Sequence, residues 1–110
     1  MNWNSLIDEA QLDIIKNKSF EKPQLIFKHS TTCSISKMAF SRFERSEAPD
    51  TIDFYYLDLL NFRSVSNAIA EKFQVHHESP QVILIKNGDC IYVESHYGIM
   101  MDDVIEQAGV

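Results

Sequence analysis

The sequence is poor in glycine, proline and cysteine, and it has no long apolar run. Its 110 residues include only three Gly and three Pro, which excludes collagen-like and low-complexity disordered chains. Two cysteines are too few for a disulfide-stapled fold or a thiolate-rich zinc site. The longest aliphatic run is residues 82–85, far below the roughly 20 apolar residues of a membrane helix. We therefore expect a single domain over residues 1–110, built around one apolar core.

Positive charge and a leader segment are also lacking. The formal net charge is −6, whereas general nucleic-acid binding needs a basic face that displaces phosphate counterions. The first twenty residues carry Asp8, Glu9 and Asp13, where a signal peptide would have a basic region and an unbroken apolar stretch. We expect a cytoplasmic protein whose partners include neither nucleic acid nor membrane.

The chain does have apolar residues at regular spacing. Leu6, Ala10 and Ile14 predict a helix over residues 4–18 with Ser5 as its cap. Three more helices are predicted from apolar stripes at Ile35, Met38, Ala39 and Phe43, at Val65, Ala68, Ile69 and Phe73 after a cap at Ser64, and at Met101, Val104, Ile105 and Ala108. Strands are predicted at residues 25–27, 52–59, 81–86 and 91–93, the last two joined by the hairpin signal Asn87-Gly88.

The order of these elements is α-β-α-β-α-β-β-α. Strand-helix-strand units give parallel pairs through right-handed crossovers, and the hairpin adds an antiparallel pair. Helices on both faces of such a sheet form the thioredoxin architecture. The sequence therefore predicts an α/β, thioredoxin-like fold with a four-stranded mixed sheet.

Cys33 lies between the end of the first predicted strand and the start of the next helix. Unpaired backbone N–H groups and the helix dipole favour negative charge there, and the thiolate is the reactive form of cysteine. Three residues later, where a dithiol enzyme has its second cysteine, the chain has Ser36, whose hydroxyl could donate a hydrogen bond to the thiolate. The residue types alone leave two interpretations open, a nucleophile and a buried structural thiol.

Pro80 provides a second signal at the same end of the sheet. It opens the strand predicted to run antiparallel to the strand before Cys33. The start of one strand therefore lies beside the end of the other, and Pro80 and Cys33 lie at the same end of the sheet. We predict a cis bond between Ser79 and Pro80, which would expose the backbone of Ser79 to an extended substrate chain. The two signals together favour a nucleophilic Cys33.

The string HSTTCSIS at residues 29–36 and the string HESPQ at residues 77–81 resemble the monothiol bacilliredoxins of the bacillithiol system. The resemblance covers nearly the whole chain. The family pattern is usually Thr-Cys-Pro-Ile-Ser, so Ser34 replaces a proline that would be preorganised for the first helical position. This replacement would either loosen the turn or offer a hydroxyl to the thiolate.

The resemblance implies an enzyme that removes bacillithiol from S-bacillithiolated proteins by thiol–disulfide exchange. Cys33 would be the nucleophile and carry bacillithiol, a co-substrate, with no tightly bound cofactor. Ser36, the second catalytic residue, cannot close an internal disulfide, so a low-molecular-weight thiol would regenerate Cys33. The residues expected to contact the substrate are Thr32, Ser34, Lys37, Ser79, Pro80 and Gly98.

Two of these expectations come from position. Gly98 follows the last strand, which returns to the Cys33 end, where thioredoxin-like proteins commonly bring a glycine near the substrate groove. Lys28, His29 and Lys37 bracket Cys33 and could attract the malate carboxylates of bacillithiol. They could equally be the solvated ends of a strand and a helix.

The remaining candidate residues carry weaker signals. Cys90 follows the hairpin at the far end of the sheet, roughly 20 Å from Cys33 at about 3.3 Å per strand residue, so we expect a structural thiol. The pair His76-His77 has no nearby cysteine or carboxylate arrangement, and we expect no metal site.

Two other functions compete with the bacilliredoxin interpretation. A non-catalytic thioredoxin-like sensor would accept a reversible cap on Cys33 and then stall, so it would not turn over. A monothiol glutaredoxin would bind an iron–sulfur cluster, but its Cys-Gly-Phe-Ser motif is absent.

Overall fold

The computed structural model describes all 110 residues and contains five strands and four α-helices. The strands are β1 Trp3–Ser5, β2 Gln24–His29, β3 Asp53–Asp58, β4 Gln81–Lys86 and β5 Asp89–Ser95. The helices are α1 Gln11–Lys18, α2 Ser34–Arg45, α3 Arg63–Lys72 and α4 Met101–Ala108, and a 3-10 turn, His96–Gly98, precedes α4. None of the helices has the length and apolar character needed to cross a membrane.

The sheet is mixed, with strand order β1-β3-β2-β4-β5. The central strand β2 is parallel to β3 and antiparallel to β4, and β5 is antiparallel to β4. This arrangement confirms the predicted α/β class and the crossover topology. The predicted four-stranded sheet is wrong by one strand, because Trp3–Ser5 pairs in parallel with β3 and extends the edge.

The helix predicted over residues 4–18 begins only at Gln11. Ser5 lies in β1 and caps no helix, and Leu6 donates its N–H to the Tyr56 carbonyl at 2.9 Å. The buried residues of α1 are Leu12 and Ile15, whereas Ile14 is 54% exposed. The prediction failed because strand pairing with β3 overrides a helical spacing that only three apolar residues supported.

Two other predicted helix details also differ. Met38 is 60% exposed, and α2 instead buries Ser36, Ala39 and Phe43. Helix α3 begins at Arg63, so Ser64 is its second residue and not its cap. The Phe62 carbonyl accepts the first helical hydrogen bonds of α3, because Phe62 packs into the core and thereby sets where the helix starts.

The hairpin is confirmed at Asn87-Gly88. Both residues have positive φ angles, 54° and 84°, as a two-residue hairpin turn of this kind requires. The N–H groups of Asn87 and Gly88 donate to the carbonyl and hydroxyl oxygens of Ser19 at 2.9 Å and 2.8 Å. A Cβ atom on Gly88 would lie 2.7 Å from the Phe20 ring, so glycine is required here.

Apolar side chains pack on both faces of the sheet. The first core joins the sheet to α1 and α3 and includes Ile26 and Ile83. The second core joins the sheet to α2 and α4 and includes Phe27 and Val82. Since β2 lies between these layers, all six of its residues are buried. Side chains near its end therefore alternate between two interiors, not between core and solvent.

Candidate active site

Cys33 occupies the N-cap position of α2, a few residues beyond the carboxyl end of β2. Its backbone is extended, with φ −100° and ψ 123°. Its carbonyl oxygen accepts the first helical hydrogen bond from Lys37 N–H at 3.0 Å. The side chain is partly exposed and caps no helical N–H group. The thiol therefore lies at the N-terminus of a 12-residue helix, a position at which backbone amides and the helix dipole favour negative charge in general.

The segment before Pro80 lies at the same end of the sheet. Lys28 of β2 pairs with Gln81 of β4, so Pro80 lies just beyond the last paired residues. The Ser79–Pro80 peptide bond is cis, as the sequence predicted. No backbone N–H or carbonyl group of residues 77–79 makes a hydrogen bond within the protein. These free groups are suited to pairing with an extended chain.

Ser36 holds the loop that carries Cys33. Its side chain is fully buried, and its hydroxyl oxygen accepts the N–H of Ser30 at 2.9 Å. The same oxygen lies 2.7 Å from Nδ1 of His29. No hydrogen bond joins this hydroxyl to the Cys33 sulfur, so the structure shows Ser36 bracing the loop, and its catalytic role stays a prediction.

The positive spot expected around Cys33 is smaller than the sequence suggested. His29 is buried and stacks on Phe40 with ring centroids 4.9 Å apart. Burial lowers the pKa of His29, Asp58 opposes this effect, and Lys37 adds to it. His29 is therefore neutral near pH 7. Lys37 is exposed on α2 and is left as the solvated cation among the three residues.

Lys28 is the clearest departure from expectation. It is fully buried, so the interpretation of Lys28 as a solvated strand end is wrong. Its Nζ donates to the Ser66 carbonyl at 3.2 Å and lies 3.3 Å from Nδ1 of His77. Burial lowers the pKa of Lys28 to about 8. Its side chain shares the first core because α3 covers that face of β2.

The other predicted contact residues surround the same end of the sheet. Thr32 and Ser34 are exposed on either side of Cys33. The Ser79 hydroxyl is buried and has no hydrogen-bond partner. Gly98 ends the 3-10 turn, and a Cβ atom there would lie 2.6 Å from the Glu94 carboxyl carbon. The Glu94 carboxyl group is the far end of a flexible, partly exposed side chain, so a larger residue at position 98 would require only that this side chain shift.

Cys90 lies at the opposite end of the sheet, as predicted. It pairs with Ile85 near the hairpin, and its thiol donates to the Tyr92 carbonyl at 3.7 Å. Burial raises the pKa of Cys90, against a smaller opposing effect of that hydrogen bond. Both cysteines are free. Cys90 is therefore a protonated, packed thiol that is remote from Cys33.

His77 is the site residue that sequence reasoning missed. The sequence offers it as the first residue of the string HESPQ and as half of a weak metal signal with His76, and neither assigns its side chain a role. No group of three or more potential ligands is arranged to hold a metal. The available signal was its position three residues before Pro80. Any residue there must lie beside the end of β2, but the sequence does not say which side chain it contacts.

Solved structures show that the chain has the thioredoxin fold and that it is similar to a candidate oxidoreductase. A structure described as a candidate oxidoreductase with a thioredoxin fold shares 31% identity and a TM-score of 0.80, over 96% of this chain and 92% of that one. Malassezia sympodialis thioredoxin shares 19% identity and a TM-score of 0.77, over 99% and 92%. Fasciola hepatica thioredoxin shares 16% and 0.72, over 96% of each chain. The two thioredoxins show the fold alone.

The family is given by a more specific match. The family model for the monothiol bacilliredoxin BrxC matches residues 4–104. The chain belongs to the monothiol bacilliredoxin family, which confirms the resemblance carried by the strings around Cys33 and Pro80. Membership in this family and the oxidoreductase neighbour support a thiol-redox function.

Proposed function

We propose that this protein removes bacillithiol from S-bacillithiolated proteins by monothiol thiol–disulfide exchange through Cys33. The observation that supports this function is the position of Cys33, a partly exposed thiol at a helix N-terminus. The unpaired backbone of residues 77–79 lies at the same end of the sheet. A monothiol cycle fits this site, because Ser36 replaces a second cysteine and Cys90 lies near the hairpin.

The reaction proceeds in two exchanges. The Cys33 thiolate attacks the bacillithiol sulfur of a mixed disulfide, and the bond from that sulfur to the target protein breaks. The target leaves as a thiolate that takes a proton from water, and Cys33 now carries bacillithiol. A second low-molecular-weight thiolate attacks the same bacillithiol sulfur and releases Cys33 as a thiolate. Overall, the mixed disulfide of the target is exchanged for a disulfide between the two small thiols: the target leaves as a thiol, and the incoming small thiol takes its place in the disulfide.

The surrounding residues have distinct roles in this proposal. The N-terminal amides of α2 stabilise Cys33 as the attacking thiolate and again as the leaving thiolate. The free backbone of residues 77–79 pairs with the target chain next to its modified cysteine. Thr32, Ser34 and Gly98 border the groove, and Lys37 attracts the malate carboxylates of bacillithiol.

The test is turnover on a protein that carries one bacillithiol mixed disulfide. Purified protein is added in substoichiometric amount with free bacillithiol, and the release of the target thiol is followed over time. We expect many turnovers from the wild type, none from Cys33→Ala, and near wild-type rates from the matched control Cys90→Ala. Mass spectrometry after exposure to bacillithiol disulfide should show one adduct, located on Cys33.

Two results would contradict the proposal. Modification of Cys33 that excess thiol reverses without any turnover on the protein substrate would identify the sensor instead of the enzyme. Activity that survives in Cys33→Ala, or disappears in a folded Cys90→Ala, would place the nucleophile elsewhere.

A further inference from the structure

The segment of residues 77–79 is held by very few interactions. On its flanks, Gln81 Nε2 donates to the His76 carbonyl at 2.9 Å, and His96 N–H donates to the Pro80 carbonyl at 3.1 Å. Between these anchors, the contact of His77 Nδ1 with Lys28 Nζ at 3.3 Å is the only hydrogen bond. Glu78 adds only longer contacts, of 3.7 Å and 3.8 Å, to the imidazoles of His76 and His96, and these are ion pairs only when the imidazoles are protonated.

Burial of Lys28 costs free energy, because its ammonium group loses its hydration. Lysine is almost never fully buried unless it is paired with an opposite charge, yet no carboxylate lies within ion-pair distance of Lys28. Its two polar contacts lead to the Ser66 carbonyl on α3 and to His77. An apolar side chain would fill the same space without the desolvation penalty. The amine therefore serves the two contacts that an apolar residue could not make.

The contact with His77 requires a particular protonation state. Lys28 can donate to Nδ1 only when that nitrogen carries no proton, which places the ring proton on Nε2. His77 as a whole is exposed, but partial burial of its imidazole lowers its pKa, and the charges of Lys28 on β2 and Arg63 on α3 lower it further. Within the segment itself, Glu78 opposes this effect and His76 adds to it. Once His77 is protonated, two donors and two positive charges face each other, so the contact cannot persist.

We propose that Lys28 is a positioning residue that fixes the segment before Pro80 through His77, and that acid releases the segment by protonating His77. This Lys28–His77 hydrogen bond, which we call the tie, keeps the free backbone of residues 77–79 at a set distance from the end of β2. Its consequence for activity rests on the proposed function, in which this backbone pairs with the target protein. The tie itself is a property of the protein without any substrate.

The first experiment therefore needs no bacillithiol. Backbone 15N relaxation of residues 77–79 and the His77 ring signals are followed by NMR between about pH 5 and about pH 8. We expect a rigid segment at neutral pH that becomes mobile in acid, with a midpoint below 6.5, the ordinary pKa of histidine. His77→Asn should stay rigid throughout, because its Oδ1 can replace Nδ1 as acceptor and cannot take a proton in this range.

Three further variants complete the comparison. His77→Leu and Lys28→Met should be mobile at every pH, since each removes one side of the contact. His76→Asn is the matched control, because this neighbouring side chain is 90% exposed and does not contact Lys28. The acid transition should persist in this variant, with a midpoint raised only slightly by the loss of one positive charge near His77. A segment as rigid in His77→Leu as in the wild type would overturn the proposal, as would an acid transition that persists in His77→Asn.

The second experiment measures turnover over the same pH range. The exchange chemistry itself depends on pH in every variant, so the informative quantity is the ratio of the turnover rate of each variant to that of the wild type. We expect the turnover ratio of His77→Asn to the wild type to rise in acid. The turnover rate of His77→Leu should be about tenfold lower than that of the wild type at neutral pH, because the backbone that pairs with substrate is misplaced. Relaxation data as predicted with no turnover in the wild type would refute the proposed function and leave the tie intact.

Discussion

The two ends of the sheet differ in how fully their polar groups are hydrogen-bonded. At the hairpin end, the N–H groups of Asn87 and Gly88 both bond to Ser19. There Lys86 Nζ also donates to the Ala108 carbonyl at 2.8 Å, and the thiol of Cys90 has its own acceptor. At the Cys33 end, Lys28 is buried without a counter-ion, and residues 77–79 have no backbone hydrogen bonds.

The unpaired buried atoms follow the same division. Six buried side-chain polar atoms make no hydrogen bond, and four of them belong to the Cys33 end: Asp58 Oδ1, Ser66 Oγ, Ser79 Oγ and Gln81 Oε1. An unpaired buried polar group costs about 1–3 kcal/mol, so a chain selected for stability alone would avoid collecting them. Their concentration at this end of the sheet contrasts with the paired polar groups of the hairpin end.

Burial of Lys28 gives the largest expected difference in stability. Its pKa is about 8 in the folded protein and 10.5 ordinarily, so the unfolded chain binds the proton more tightly. The penalty is complete below pH 8 and disappears as the pH rises to 10.5. The free energy of unfolding of the wild type should therefore rise by about 3 kcal/mol relative to Lys28→Met across this window, as measured by chemical denaturation.

Lys86→Met is the matched control at the hairpin end, where the lysine is only partly buried. It should follow the wild-type dependence on pH. Parallel curves for the wild type and Lys28→Met would show that Lys28 is solvated in solution, and the contrast between the two ends would lose its main support.

Two buried serines allow a more selective comparison. Ser36 accepts the N–H of Ser30 at the Cys33 end, and Ser19 accepts the N–H of Gly88 at the hairpin end. Either substitution by alanine leaves a buried N–H unpaired and should lower the free energy of unfolding by about 2 kcal/mol. Only Ser36→Ala should also slow turnover, because it frees the loop that carries Cys33. Equal effects on turnover would refute the assignment of Ser36 to the site.

The two thiols should differ in alkylation rate by about tenfold or more near pH 7. Cys33 is measured in Cys90→Ala, and Cys90 in Cys33→Ala, with iodoacetamide. The rate for Cys90 should keep climbing above pH 9.0, its ordinary pKa, because burial raises the pKa of Cys90. In denaturant the two rates should converge. Folded-state rates that match each other would mean that the helix start does not activate Cys33.

The smallest expected effect concerns Lys37. Because its side chain is exposed, its attraction for the bacillithiol carboxylates is screened by salt. Lys37→Ala should slow exchange with bacillithiol disulfide by about twofold at low ionic strength and not measurably at about 0.5 M salt. The exposed Lys16 lies near Cys90, and Lys16→Ala should have no effect at either ionic strength.

The sequence predicted the parts of the site that carry local signals. A cysteine before a helix and a proline at the start of a strand mark Cys33 and Pro80 by neighbouring residues alone. The burial of Lys28 could not be predicted in this way, since it depends on Ser66 and His77, which are 38 and 49 residues away. A lysine at the end of an apolar run is most often solvated, and only α3 and residue 77 make this one different.

The missing strand has a similar explanation. β1 has only three residues, too few for a period-two pattern to stand out. Its pairing partner is β3, about fifty residues further along the chain. The apolar residues that follow match helical spacing, so local periodicity started the helix at residue 4, whereas pairing with β3 holds the first residues in a strand and the helix begins at Gln11.

Trp3 connects this edge strand to the Cys33 end of the molecule. Its ring stacks on Phe40 with centroids 5.3 Å apart, and Phe40 stacks in turn on His29. Trp3 is the only tryptophan in the chain. The intrinsic fluorescence therefore comes from a single indole two rings away from the residue that holds Ser36. We therefore expect a rearrangement of the Cys33 loop that moves His29 to change the tryptophan emission under selective excitation, which would report on the loop without an attached dye.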